Sequence, residues 1–158
     1  MVKLAGFVEG STRMQKLVFL VSQNVKELKT YDFYHDWEAS KFGPFSKDLS
    51  DDVIEAIQSN ILAKYPRKND AGYNVDCFIL TDEGMKIADP VVKDNPKVIS
   101  KIQEILQQYN KAALMSLLHD VYYQYPQFTS GSTIKSEVVG KTGFVGTSLD
   151  PTYDEPQE

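Results

Sequence analysis

The chain has 158 residues, an apolar content of 42% and a formal charge of −5, enough for one domain with a real core and the wrong sign for a general polyanion binder. Its one cysteine, Cys77, rules out an internal disulfide and any cysteine-based zinc cluster within one chain. The longest apolar run, residues 17–21, is far too short to span a bilayer, and no charged-then-apolar leader opens the chain, so a soluble, cytoplasmic protein is expected.

Met14, Leu17, Val18, Val21, Val25 and Leu28 recur at helical spacing, with Phe19 and Leu20 widening the stripe, and Thr12 with Gln15 fits a capping box. A first helix is therefore expected over about residues 13–26. Residues 31–40 are aromatic-rich and suit a strand, with Phe33, His35 and Trp37 on one face and Tyr34, Asp36 and Glu38 on the other. Gly43-Pro44 reads as a tight turn that breaks the strand, and Ser46 as the N-cap of a second helix over 46–59. Leu49, Val53, Ile54 and Ile57 form that helix's buried stripe, with Asp48, Asp51, Asp52 and Glu55 opposite.

Residues 61–65 and 75–80 read as two strands joined by a polar nine-residue loop, 66–74. Thr81 caps a short helix over 81–87, which Pro90 stops. Val98, Ile102, Ile105 and Tyr109 mark another helix, and Leu114, Leu117, Leu118, Val121 and Tyr125 a last long one ended by Pro126. From about residue 140 the chain is rich in Gly, Thr, Pro and acids without periodicity, which reads as an acidic, poorly packed tail. The expected fold class is α+β, mainly helical: a domain over 1–92, further helices over 93–139 and a tail over 140–158.

The order helix, strand, helix, hairpin, helix resembles a winged helix-turn-helix with a β-hairpin wing and two additional C-terminal helices. Phe78-Ile-Leu-Thr-Asp-Glu-Gly84 is similar to the second wing strand and following helix of MarR- and PadR-type regulators. A fuller resemblance is to an uncharacterised prokaryotic winged-helix family, the YwgA-like group, through Met14-Gln-Lys-Leu17, Gly43-Pro-Phe-Ser46 and the pattern from Leu80 to Gly84. The Gly-Pro device is also similar to that of SocA-type antitoxin domains. The resemblance spans roughly residues 12–90 and implies no catalytic motif.

In a winged helix the helix after the turn lies in the major groove and reads base edges with Arg, Lys, Asn or Gln. Here that helix offers Asp48, Asp51, Asp52 and Glu55 against Lys47, which phosphates would repel. This face reads either as a solvated acidic surface or as a docking face for a basic protein partner. The wing is the candidate DNA contact: Lys64, Arg67, Lys68, Asn69 and Tyr73 form a basic, aromatic-interleaved hairpin able to hold phosphates. The alternative is a solvated hairpin tip. His35 is expected to pack among aromatics, strand alternation separating it from Asp36 and Glu38. His119 is expected as a flanking or interface residue and Cys77 as a small core residue. No phosphate loop, nucleophile elbow or HExxH pattern occurs, so neither catalysis nor a cofactor or metal is expected. By analogy with the MarR and PadR types, Ile102, Ile105, Leu106, Leu114, Leu118 and Tyr122 form a homodimer seam within 98–125, or else pack back on the first helix. The function expected first is DNA-binding transcription regulation through the wing. The alternative is an antitoxin-like interaction module using the acidic helix.

Overall fold

The computed structural model describes residues 1–140; the expected acidic tail lies outside them. The fold is α+β, built around one helix that is buried on nearly every side. A short helix, α1 (Val2–Ala5), and a two-residue strand, β1 (Val8–Glu9), precede this central helix, α2 (Ser11–Asn24). All of residues 13–22 are buried, and Leu17, Phe19 and Val21 lose essentially all solvent contact. A helix that is apolar on most faces must be covered on most faces. The cover comes from α5 (Pro96–Tyr109), α6 (Leu114–Gln124) and two small β elements.

One β element is a ribbon of β2 (Glu38–Ser40) and β3 (Gly43–Phe45), antiparallel, with Ala39 opposite Pro44. The other is a sheet in the order β1-β5-β4, whose hairpin joins β4 (Leu62–Lys68) to β5 (Asn74–Leu80). Between them lies α3 (Lys47–Gln58), and α4 (Asp82–Asp94) follows the hairpin. Ser46 and Thr81 cap these two helices as their sequence context suggests: Ser46 Oγ accepts from the N–H of Leu49, and Thr81 Oγ1 from the N–H of Gly84, both at 3.0 Å.

Several expectations are corrected. The strand expected over 31–40 is confined to its last three residues, because a 3-10 turn, Lys26–Thr30, and a positive φ of 26° at Tyr34 break the extended geometry. Gly43-Pro44 is strand rather than turn; a two-stranded ribbon tolerates Pro44 because its missing N–H leaves no ladder partner without a donor. The hairpin strands run further than expected, so the nine-residue loop shrinks to residues 69–73. Pro90 does not stop α4; both it and Lys86, whose carbonyl loses its donor, are exposed, so water can replace the lost bond. Ile54, assigned to the buried stripe of α3, is 51% exposed. A last helix, α7 (Lys135–Gly140), buries Val138 and was not foreseen.

Of the two readings of the residues within 98–125, packing on the first helix describes most of them. Ile102, Leu106, Leu118 and Tyr122 belong to the chain's own core with α2. They are buried within the chain itself, and Ile105 and Leu114 lie partly buried beside them. Arg13 reinforces this docking by donating from Nη1 to the Tyr109 carbonyl at 2.9 Å, at the end of α5.

Gly43 is a close joint between β3 and α6. Its φ is +87°, and a Cβ built there would stand 2.6 Å from the Tyr122 ring. Gly72 shares the conformation, with φ +88°, but has open space around it. Gly43→Ala is therefore expected to lower the urea-unfolding free energy by about 2 kcal/mol or more and Gly72→Ala by about 1 kcal/mol. Equal losses would show that the Tyr122 contact costs nothing.

Candidate functional site

Ser46 carries the placement of α3. It is fully buried, and its polar atoms all have partners. The Gln15 side chain amide bridges its backbone, Oε1 accepting from the Ser46 N–H at 2.9 Å and Nε2 donating to the Ser46 carbonyl at 3.0 Å. Lys16 Nζ donates to the carbonyl of Pro44, two residues before Ser46, at 3.1 Å. Gln15 thus ties the core helix to the start of α3 instead of closing the capping box expected with Thr12; α2 has no side-chain cap. Ser46 Oγ donates in turn to Asp36 Oδ1 at 2.6 Å, and Asp36 Oδ2 accepts from the Asp48 N–H at 3.1 Å. Asp36 therefore puts a carboxylate at the positive end of α3. Burial would raise its pKa, but the bonds from Ser46 and the backbone outweigh it and hold the carboxyl below its usual range.

So anchored, α3 stands as a ridge between two clefts. On one flank, Asp32, Tyr34, His35, Asp48, Asp51 and Asp52 line a recess of about 250 Å³. The Tyr34 hydroxyl donates to Asp52 Oδ2 at 2.6 Å, and burial together with this bond pushes the phenol above its usual range. Lys47 pairs with Asp51, one turn along the same helix. His35 is not packed among aromatics as expected; its side chain is 80% exposed, 3.3 Å from Asp32. The loss of strand geometry turns it outward, while Phe33, Tyr34 and Trp37 pack against the core, Trp37 edge-on to Phe19 at 5.1 Å. Glu55 is exposed further along the ridge.

On the other flank lies a cleft of about 380 Å³ between α3 and the hairpin. Val53, Ile54 and Ile57 form its near wall, Met14 and Leu49 its floor, and Pro66, Val75 and Phe78 its far wall. Sequence reasoning missed this cleft, since its walls come from two separate stretches, residues 53–57 and 66–78, that no local pattern joins; the one local signal was Pro66, read as loop.

The β4–β5 hairpin, the wing of the winged-helix expectation, does not gather its cations into one patch. Side chains alternate along β4, so Lys64 and Lys68 point to one face of the sheet and Arg67 to the other. Lys64 pairs with Asp76 at 3.0 Å across the strands. Arg67 lies 3.9 Å from Glu9, its guanidinium 4.8 Å from the centre of the Phe7 ring. Asn69 Oδ1 accepts from the N–H groups of Ala71 and Tyr73 at 3.0 and 2.9 Å, so it closes the loop instead of reaching outward. Of the five candidate DNA contacts, Lys68 and Tyr73 keep their side chains outside these local bonds. Cys77 is fully buried, as expected. His119 stacks on Tyr123 at the surface, 6.4 Å between ring centres. No three His, Cys, Asp or Glu side chains are grouped to hold a metal ion among the described residues, and no helix there is long and apolar enough to cross a membrane.

Asp36→Asn is expected to destabilise the fold by about 1 kcal/mol at about pH 7. An acid held below its unfolded-state pKa contributes fully above that value and loses its contribution as pH falls through the lowered native one. The gap between the two proteins in urea unfolding should therefore narrow towards about pH 3. A gap that widens on acidification would contradict the role given to Asp36.

Comparison of the chain with protein-family models, with curated proteins and with solved structures finds no match.

Proposed function

We propose that this chain is a winged-helix-type, non-enzymatic protein-interaction module of the cytoplasm, in which α3 meets a basic segment of a partner protein. The YwgA-like and SocA-type resemblance agrees with this reading through the order of α2, α3, the hairpin and α4. The observation that carries it is electrostatic. Asp48, Asp51 and Asp52 share one recess with Asp32, Glu55 continues the line, and Lys47 is the cation set among them. Bringing such a face to a phosphate backbone would cost desolvation and repulsion together. A lysine- or arginine-rich segment meets the same face with attraction.

DNA regulation through the wing has less support. Two of the wing's three cations are matched by Asp76 and Glu9, and alternation sends Arg67 to the face opposite Lys64 and Lys68. A protein held by phosphates needs several of them neutralised at once.

The test is fluorescence anisotropy with a labelled lysine-rich peptide and, separately, a labelled DNA duplex. Asp51→Asn with Asp52→Asn and Glu55→Gln is expected to weaken peptide binding about tenfold or more without changing thermal unfolding, and added salt should mimic it. Arg67→Glu with Lys68→Glu should leave peptide affinity intact. Duplex binding that the acidic variant spares and the wing variant abolishes would overturn this reading in favour of the wing.

A further inference from the structure

The two flanks of α3 differ in chemistry, and the partner must suit both. On the cleft flank an isoleucine, Ile54, stands half in solvent at the lip of an open recess that joins apolar Val53, Ile57, Pro66 and Phe78 to polar Ser50, Lys64 and Asp76. An exposed aliphatic side chain continuous with the apolar part of an open cleft is a surface that gains from being covered. Successive helical positions are about 100° apart, which puts Asp51 about 60° around α3 from Ile54. The apolar and acidic strips are therefore neighbours on one ridge. Within the cleft Lys64 and Asp76 cancel, so the charge next to the apolar strip is that of the α3 acids.

The hairpin also limits the backbone form of the partner. β4 is the outer strand of its sheet, a position where an extended peptide would add. Asp76 gives its carbonyl to the N–H of Gly10 on the β1 side, at 2.8 Å. Its cross-strand partner Pro66 therefore directs its backbone to the free edge, along with Lys64 and Lys68. A proline without N–H in the middle of that edge, set between two lysines, blocks strand addition. A helix satisfies its own backbone and needs no edge.

We propose that the partner segment is a basic amphipathic α-helix lying along α3, its apolar stripe over Ile54 and in the cleft against Pro66 and Phe78, its lysines or arginines over Asp51 and Glu55, within reach of the field of the acids beyond them. This rests on the interaction reading above and adds to it the apolar half of the contact. Specificity then comes from register: cations spaced like α3's acids, next to aliphatic side chains at helical spacing.

Two labelled peptides of about 18 residues and identical leucine and lysine content separate the possibilities. One has its leucines in a single helical stripe; in the other they are dispersed. With the full chain, the striped peptide should bind about tenfold more tightly. Ile54→Ser, at a half-exposed position that circular dichroism can confirm as folded, should weaken the striped peptide about fivefold and leave the dispersed one unchanged. The acidic triple variant should weaken both. If the two peptides bind equally, or Ile54→Ser changes neither, the helix-in-cleft proposal falls while the acidic reading stands. If the acidic variant changes neither, the interaction reading itself falls. Self-association in sedimentation without peptide, lost in Ile54→Ser, would assign the cleft to a second copy and overturn the proposal.

Discussion

Ser46 is the joint on which the rest of the structure depends. It sits with no solvent exposure where the core helix α2, the aromatic segment before β2, the ribbon and α3 converge. Gln15 holds both sides of its peptide backbone, Leu49 donates to its hydroxyl, and that hydroxyl donates to Asp36. A buried polar group is cheap when fully satisfied and costs about 1–3 kcal/mol when a partner is removed. The network is therefore intolerant of small displacements, and it fixes the direction in which α3 leaves the core. Lys16, binding the Pro44 carbonyl two residues earlier, extends the same constraint to β3.

The surface chemistry follows from that direction. With α3 standing off the hairpin, its side chains divide into three strips: Leu49 inward, Ile54 and its neighbours towards the cleft, and the acids outward. The aromatic segment, bent at Tyr34 rather than extended, comes back against the acids and adds Asp32 and a phenol bonded to Asp52. The hairpin spreads its own cations over both faces and matches two of them with acids. The exposed face of α3 is thereby left with carboxylates that the hairpin's cations do not offset.

Local signals in the sequence were reliable where the structure is local. The caps at Ser46 and Thr81, the span of α3 and the helices α5 and α6 follow from periodicity and side-chain-to-backbone bonds within a few residues. What could not be read depends on partners far away in the chain. Gln15 fits a capping box with Thr12 by spacing, yet its partner lies 31 residues on. β1 is two residues long and exists because Val8 and Glu9 pair with Phe78 and Cys77. Ile54 fits the apolar stripe of an isolated helix, but the hairpin stands back at that point and leaves a cleft. The hairpin's charge was misjudged, because Glu9, which faces Arg67, comes from a strand that no local pattern announces.

If α3 is the contact ridge, the most direct measurement is a residue-resolved amide-shift map by nuclear magnetic resonance during titration with the striped leucine–lysine peptide. The largest changes should fall on residues 48–58 and on the hairpin residues that face them, Lys64, Asp76 and Phe78 among them. Changes centred on residues 67–73 with α3 silent would contradict this and return the function to the wing.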